Sequence, residues 1–337
     1  MMPELSLPSP INRILLVNPT KYLGNLLIAG GLMQSFARYC EEQGIDYRIV
    51  LDESFRALCE NSFPEDKVIW FPRAQIDQAG PLGKISRYLK SVNELRSFKA
   101  DLAFNIEEDS AASHLTRLSG ARYKLGCSPK KHTKGYDHVV PVNFESRPAG
   151  QEHRWYSFLQ VFQAIGMPEP ETPSYLSLAS PTEKEPLKDK LEQAGIDFSR
   201  PVIAIHAGAT KDYKQWPKEN FSKLCRLLLE AAMQPVLLGA GEVDRQINDQ
   251  IISALEPEDG TITNLCDQLT LAELAGFLPQ CHYMIGNDSG PFHLGSALGL
   301  DGSVIFGPTF ADIWRPLGKQ SELILGSFKC DPNCYKA

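Results

Sequence analysis

The residues best suited to chemistry in this 337-residue chain stand where apolar runs end. In Ile285-Gly-Asn-Asp-Ser-Gly-Pro-Phe-His293 an apolar run passes into small and polar residues and then into a helical pattern. Asp288 or Ser289 suits an N-cap, and Pro291 suits the first helical turn. Such a helix start offers backbone N–H groups and a partial positive charge to a phosphate or diphosphate; Asp288 could instead accept from sugar hydroxyls. The same residues would also suffice for a purely structural, well-capped helix. Two further junctions share this character. His206-Ala-Gly-Ala-Thr210 brings Gly208, Ala209 and Thr210, small enough for backbone to approach a ligand, and Gly239-Ala-Gly-Glu242 opens a helix. Either alone could be a tight turn, but three such loops ending strands of one domain converge on one sheet edge. Lys214, in Lys211-Asp-Tyr-Lys-Gln-Trp-Pro217, is placed to neutralise a departing diphosphate, or is an ordinary surface lysine before a helix.

The first half offers less. Pro19-Thr-Lys-Tyr-Leu-Gly-Asn25 joins the first strand to the first helix, with Gly24-Asn25 expected at the strand's carboxyl end. Glu107, Glu108 and Asp109 could supply a general base, although favouring the start of the following helix is the stronger expectation. Lys124, Lys130, Lys131, His132 and Lys134 could meet an anionic acceptor or a membrane surface; a solvated loop is the simpler reading. There is no G-x-G-x-x-G after the first strand, no Walker-type loop, no G-x-S-x-G elbow and no D-x-D triplet.

These residues need positioning by strands and helices in alternation. Strands are expected at Arg13–Asn18, Tyr47–Leu51, Lys67–Phe71 and Asp101–Ile106, then at Val202–His206, Pro235–Leu238, Thr261–Leu265, His282–Ile285 and Ser303–Phe306. Helices are expected near 25–43, 84–98, 110–119, 151–165, 183–194, 218–232, 242–254, 271–278 and 290–298. In the second of these, Ile85, Tyr88, Leu89, Val92 and Leu95 recur at helical spacing. Continuous apolar strands alternating with helices mean an α/β fold with parallel sheets. A Pro-rich zone from Pro141 to Pro186 puts the junction near 170–180, and so an N-terminal domain at 1–172 and a C-terminal one at 173–337. Two doubly wound Rossmann-like domains facing a central cleft, with ligands at the carboxyl ends of the strands, is the expected architecture.

Composition agrees. Hydrophobic residues at 43% and charged residues at 22% match an ordinary globular chain. No apolar run is long enough to span a bilayer and Met1–Pro10 does not read as a signal peptide, so a cytoplasmic protein is expected. The net charge of −7 argues against nucleic acid as a partner. Residues 1–170 carry +1 and residues 171–337 carry −8, which hints at different ligands or simply serves solubility. The eight cysteines are scattered as reduced thiols would be, and Cys330 with Cys334 alone is a weak metal signal, so no metal site is expected.

Together these motifs resemble glycosyltransferase family 9, the ADP-heptose:lipopolysaccharide heptosyltransferases. GNDSGPFHLGSALGL, continuing through VIFGPT to WRPLG, is similar to the family's C-terminal signature; HAGAT, KQWP and LLGAGEVDR precede it in the family's order, and RILLVNPTKYLGN resembles its first strand and loop. The resemblance covers about residues 12–327 and is more specific in the second half. It implies a GT-B architecture with the sugar donor in the C-terminal domain, and inverting transfer of a heptose or related sugar from a nucleoside-diphosphate sugar. ADP-heptose is the implied donor, and a lipid-linked lipopolysaccharide core at the cytoplasmic face of the inner membrane the acceptor. No cofactor or metal is implied. By position, Lys214 resembles the lysine on the donor phosphate and Glu242 the acid that holds the nucleoside. Asp288, Ser289 and Gly290 resemble the donor turn, with His293 one helical turn on, and His206 to Thr210 would line the same pocket. One position departs from the pattern: Asn25 stands where the family usually has an aspartate thought to be the base. An amide takes no proton near neutral pH. Either Glu107, Glu108, Asp109 or His114 serves as base, or Asn25 only orients the acceptor, or the activity has changed or been lost. The alternatives are therefore a member with another donor or acceptor, or a nucleotide-sugar-binding protein with reduced activity.

Overall fold

A computed structural model describes residues 10–59, 61–107, 109–127, 134–142, 150, 152–178, 185–256, 260–318 and 321–326. The chain divides into two compact units, Met1–Ser177 and Leu178–Ala337.

The first unit runs β1 (Arg13–Val17), α1 (Leu23–Glu42), β2 (Asp46–Asp52), α2 (Arg56–Cys59), β3 (Val68–Phe71), α3 (Arg73–Gln78), α4 (Pro81–Ser97), β4 (Leu102–Asn105), α5 (Ser110–Leu118), β5 (Tyr123–Cys127), β6 (His138–Val140) and α6 (Arg154–Ala164). Its sheet has the order β3-β2-β1-β4-β5-β6, with every neighbouring pair parallel. Both faces are covered, which is why the strands are apolar without alternation. On one face Leu15, Val17, Val50 and Phe71 meet Val92 and Leu95 of α4 and Leu115 of α5. On the other, Phe36 of α1, Phe104 of β4 and Phe162 of α6 form a triangle of rings with centroids 5.5–5.8 Å apart.

Gly30 and Gly31 sit in the middle of α1, where glycine costs helix stability. Their lack of a side chain admits the segment that ends the unit: a Cβ on Gly30 would lie 2.3 Å from Leu176 Cβ, and one on Gly31 2.3 Å from Ser174 O. Leu176 N donates to Leu27 O at 2.9 Å, and Ser177 exchanges hydrogen bonds with the Gln34 side chain. This strap across α1 ends the first unit.

Helix α4 corrects one expectation. Tyr88, Val92 and Leu95 face the core, but Ile85 is 58% and Leu89 54% exposed, in line with Leu82 at 84%. Five apolar positions make a stripe wider than one contact face. The 88/92/95 line takes the core, and the 82/85/89 line stays in solvent.

The second unit runs α7 (Glu185–Gln193), β7 (Val202–His206), α8 (Lys218–Glu230), β8 (Gln234–Leu237), α9 (Glu242–Ser253), β9 (Thr263–Asn264), α10 (Leu271–Phe277), β10 (Tyr283–Asn287), α11 (Gly290–Ala297), β11 (Gly302–Phe306), α12 (Ala311–Trp314) and β12 (Ser321–Leu325). Its sheet, β12-β11-β10-β7-β8-β9, is parallel throughout and, read from the other edge, has the order of the first. Ile203, Ile205, Leu237 and Ile305 pack with Phe221 and Cys225 of α8 and Ile251 of α9. A capping box of Thr270 and Glu273 starts α10.

The remaining differences from expectation are local. The strand expected at 261–265 pairs only at Thr263–Asn264. The helix expected from residue 151 starts at Arg154, because the buried His153 side chain accepts from Trp155 N and sets the cap. Strands β5, β6 and β12 are short or edge segments without a strong apolar run. Cys40, Cys59, Cys225 and Cys281 are buried free thiols, and burial pushes Cys59 and Cys225 up to about 12. Glu108, Lys130, Lys131, His132, Cys330 and Cys334 lie outside the described residues.

Candidate active site

In the second unit the strand order reverses between β7 and β10, and a crevice at the carboxyl ends of such a pair is where doubly wound sheets bind ligands. His206 ends β7 and Asn287 ends β10. His206 Nδ1 lies 3.0 Å from Ser289 Oγ, and its Nε2 lies 3.4 Å from Asp244 Oδ2. Ser289 occupies the N-cap position of α11, as the sequence suggested, yet makes no side-chain capping bond because its hydroxyl faces His206. The first turn of α11 is thus left without a side-chain cap.

Beside it Asp288, buried, takes Lys214 Nζ at 2.8 Å on one carboxylate oxygen and faces His293 Nε2 at 3.7 Å on the other. Burial pushes the Asp288 carboxyl up, but His293 and Lys214 outweigh it and hold it below the ordinary value. Asn287, fully buried, pins the loop that carries Lys214. Its Oδ1 accepts from Trp216 N at 2.9 Å and its Nδ2 donates to Ala207 O at 2.7 Å. Within that loop Gln215 Nε2 donates to Ala209 O at 3.3 Å, and Thr210 is exposed.

Asp244 is the hub on the other side. Besides facing His206 it accepts from Ala240 N at 2.9 Å, and a Cβ on Gly208 would fall 1.9 Å from its Oδ1. Burial raises its carboxyl, and the bond and charge of His206 with the Ala240 amide bring it below the ordinary value. Glu242 opens α9, exposed, with Arg245 at 2.6 Å and Gln246 at 2.7 Å. Arg245 also holds Asp267, which accepts from Gly241 N at 2.6 Å. The network therefore joins His206, Lys214, Asp288, Ser289 and His293, with Gly208 against Asp244. Ala209, Thr210 and Glu242 lie on the loops beside it. Asp244 and Asn287 carry no role in the sequence reading. Both stand inside quoted motifs, but apart from the Ala240 amide their partners are about 36 to 80 residues away and only the fold brings them together.

In the first unit the order reverses between β1 and β4. Asn25, in the first turn of α1, donates from Nδ2 to Glu107 Oε2 at 3.2 Å. Glu107 follows β4 and is 4% exposed. Burial pushes its carboxyl up, against the Arg154 charge and the nearby Asn25 and Thr20 side chains. The acidic cluster thus splits. Asp109 caps α5 through Ala112 N at 3.1 Å, the role favoured from sequence, whereas Glu107 turns inward to Asn25. Arg73 braces this edge, bonding Asp109 at 3.0 Å, Asp52 at 2.8 Å and Pro19 O. His114 is exposed on α5. Among the described residues no group of three or more His, Cys, Asp or Glu is placed to hold a metal ion. No helix there is long and apolar enough to cross a membrane.

A doubly wound unit with a charged network at its switch point defines a class of ligand-binding α/β proteins, and comparison narrows it. The model of glycosyltransferase family 9 (heptosyltransferase) matches residues 88–337, and the chain belongs to that family. It is 28% identical over 134 residues to lipopolysaccharide heptosyltransferase 2 of Escherichia coli, covering 39% of this chain and 38% of that one. With lipooligosaccharide heptosyltransferase 2 of Haemophilus influenzae the identity is 27% over 152 residues, 44% of each chain. The matched stretch thus spans less than half the length of these curated relatives. Among solved structures, a family 9 glycosyltransferase from Veillonella parvula superposes with a TM-score of 0.76 at 18% identity, covering 95% of this chain and 88% of that one. The ADP-heptose lipopolysaccharide heptosyltransferase II of E. coli gives 0.72 at 20% identity, covering 93% and 90%. These likenesses establish the GT-B-type fold of paired Rossmann-like units.

Proposed function

We propose that the chain is an inverting glycosyltransferase that moves a heptose or related sugar from a nucleoside-diphosphate sugar to a lipopolysaccharide-core acceptor. ADP-heptose, the donor named for the E. coli structure, is the first candidate. The observation that carries this reading is the network at the β7/β10 switch point. Ser289, drawn to His206, leaves the start of α11 uncapped for a diphosphate, and Lys214 stands beside it at 2.8 Å from Asp288.

In this reading the C-terminal domain, 173–337, holds the donor. Lys214 and the α11 amides take the negative charge that grows on the diphosphate as it leaves, so the reaction does not call on a metal ion. Asp288 accepts a sugar hydroxyl alongside Lys214 and His293, His206 to Thr210 and His293 line the pocket, and Glu242 receives the nucleoside. The N-terminal domain, 1–172, serves the acceptor, whose hydroxyl attacks the anomeric carbon as the bond to the diphosphate breaks. The exposed line Leu82, Ile85 and Leu89, on a helix that also bears Lys84, Arg87 and Lys90, supports peripheral contact with an anionic cytoplasmic membrane face that presents a lipid-linked acceptor.

A second reading, nucleotide-sugar binding without turnover, is favoured by one observation: an amide, Asn25, faces the crevice of the first unit. Titration calorimetry with ADP and ADP-heptose, followed by ADP release with truncated-core lipopolysaccharide in EDTA, separates the two. Binding and release support transfer. Binding alone supports the second reading, and no binding removes both.

A further inference from the structure

Asn25 and Glu107 meet at the switch point of the first unit, at the carboxyl ends of β1 and β4. Glu107 is a carboxyl closed off from solvent. Its Oε2 accepts from Asn25 Nδ2 at 3.2 Å, and its Oε1 is buried with no hydrogen-bond partner among the described residues. A purely structural carboxylate at such depth would be fully paired, because an unsatisfied buried oxygen is costly. Asn25 is half-buried, so a hydroxyl can reach its amide but not the acid behind it. With Nδ2 committed to Glu107, the amide is fixed with Oδ1 as its remaining acceptor.

We propose that Glu107 is the terminal proton acceptor of the transfer reaction and that Asn25 carries the proton to it. The proposal rests on the transfer reading above. As the acceptor oxygen bonds to the anomeric carbon and the carbon–oxygen bond to the diphosphate breaks, the hydroxyl proton passes to Asn25 Oδ1. An Nδ2 proton passes at the same time to Glu107 Oε2. The amide becomes its imidic acid and Glu107 becomes neutral, so the pair gains one proton and its single negative charge is replaced by the one that forms on the departing diphosphate. After product leaves, Oδ1 releases its proton to water and Glu107 returns one to Nδ2. The groups that face Glu107 are suited to the task. Arg154 from α6 and Thr20 from the β1–α1 loop favour its ionised form, while burial and the neighbouring Asp109 make that form a stronger base than a surface carboxylate. Asn25 is then the catalytic residue that touches the substrate, and Glu107 acts through it.

The test compares the wild type with E107Q, E107D, N25D and the double variant N25D/E107Q. Each is assayed for ADP release from ADP-heptose with truncated-core lipopolysaccharide, and for ADP affinity by calorimetry. A general base is worth about 10²–10⁴-fold, so kcat of E107Q should fall in that range with ADP affinity unchanged and the acidic limb of the kcat–pH profile lost. E107D should recover part of the loss. The decisive variant is N25D/E107Q: a carboxylate at position 25 takes the proton directly, so its kcat should rise at least tenfold over E107Q. E107Q with wild-type kcat and pH profile overturns the proposal. So does N25D/E107Q no better than E107Q, since Glu107 would then act only in folding. If the wild type binds ADP yet never turns over, the transfer reading itself fails and takes this proposal with it.

Discussion

His206 Nδ1 stands 3.0 Å from Ser289 Oγ, which ties the end of β7 to the start of α11 across the point where the strand order of the second sheet reverses. This bond takes the serine away from the helix amides it would otherwise cap. A residue type usually read as stabilising a helix start here leaves that start without a side-chain cap.

If the open start and Lys214 hold a diphosphate, Lys214→Met removes one charge-assisted hydrogen bond, worth about 1.5–3 kcal/mol. ADP affinity should fall roughly 10–150-fold. Circular dichroism should stay unchanged, because His293 remains beside the Asp288 carboxylate. Calorimetry with ADP measures it, and undiminished affinity would show that Lys214 does not meet the diphosphate.

Asn287 is predicted to be the main structural support of the Lys214 loop. Asn287→Leu keeps the volume but strands Trp216 N–H and Ala207 C=O, at a cost of about 2–4 kcal/mol. Urea denaturation should show the loss, and hydrogen exchange should show it concentrated in residues 207–216.

Two kinds of pH dependence are expected, with opposite signs. Asp244 and Asp288 are held below their ordinary values, so the stability they give is complete above about pH 4 and is lost as pH falls through their folded values. Glu107 is raised, so the folded state binds its proton more tightly. Its contribution is complete below about pH 4.3 and is lost as pH rises through the raised value. The stability of E107Q relative to wild type should therefore increase as pH rises above about 4.3, whereas D244N should flatten the fall below about pH 4. Denaturation curves across this range check both, and a constant E107Q difference would contradict the raised value.

Membrane contact through α4 predicts that L82E/I85E/L89E stops sedimenting with phosphatidylglycerol-containing vesicles. ADP affinity should stay at the wild-type level, since these side chains are exposed in the first unit. Equal sedimentation of variant and wild type would remove the α4 face from the model.

Much of the fold was legible because RILLV, VIAIH and GSVIF are apolar without alternation and helices separate them. The three loops of the second unit were legible because glycine, proline and small polar residues cluster where those strands end. Less legible was anything set by distant pairing. Asp244 reads as one more acid in the first turn of a helix, and nothing local says that His206 and Gly208 press against it. Glu107 looked like its neighbour Asp109, and only the register of β4 beside β1 turns one acid to a helix cap and the other to Asn25. The exposed line of α4 was not legible, because a helical period counts apolar positions without saying how many the sheet has room to cover.

The crowding around Asp244 has a consequence for how this chain can change over generations. One carboxylate serves His206 and the Ala240 amide and fills the space where a side chain on Gly208 would go. Substitutions at 206, 208 and 244 are then not independent events. A larger residue at 208 is tolerable only after 244 has shrunk, and a shrunken 244 abandons 206. The order in which such changes arise decides which of them survive, so this corner should drift in steps of two or three residues at once.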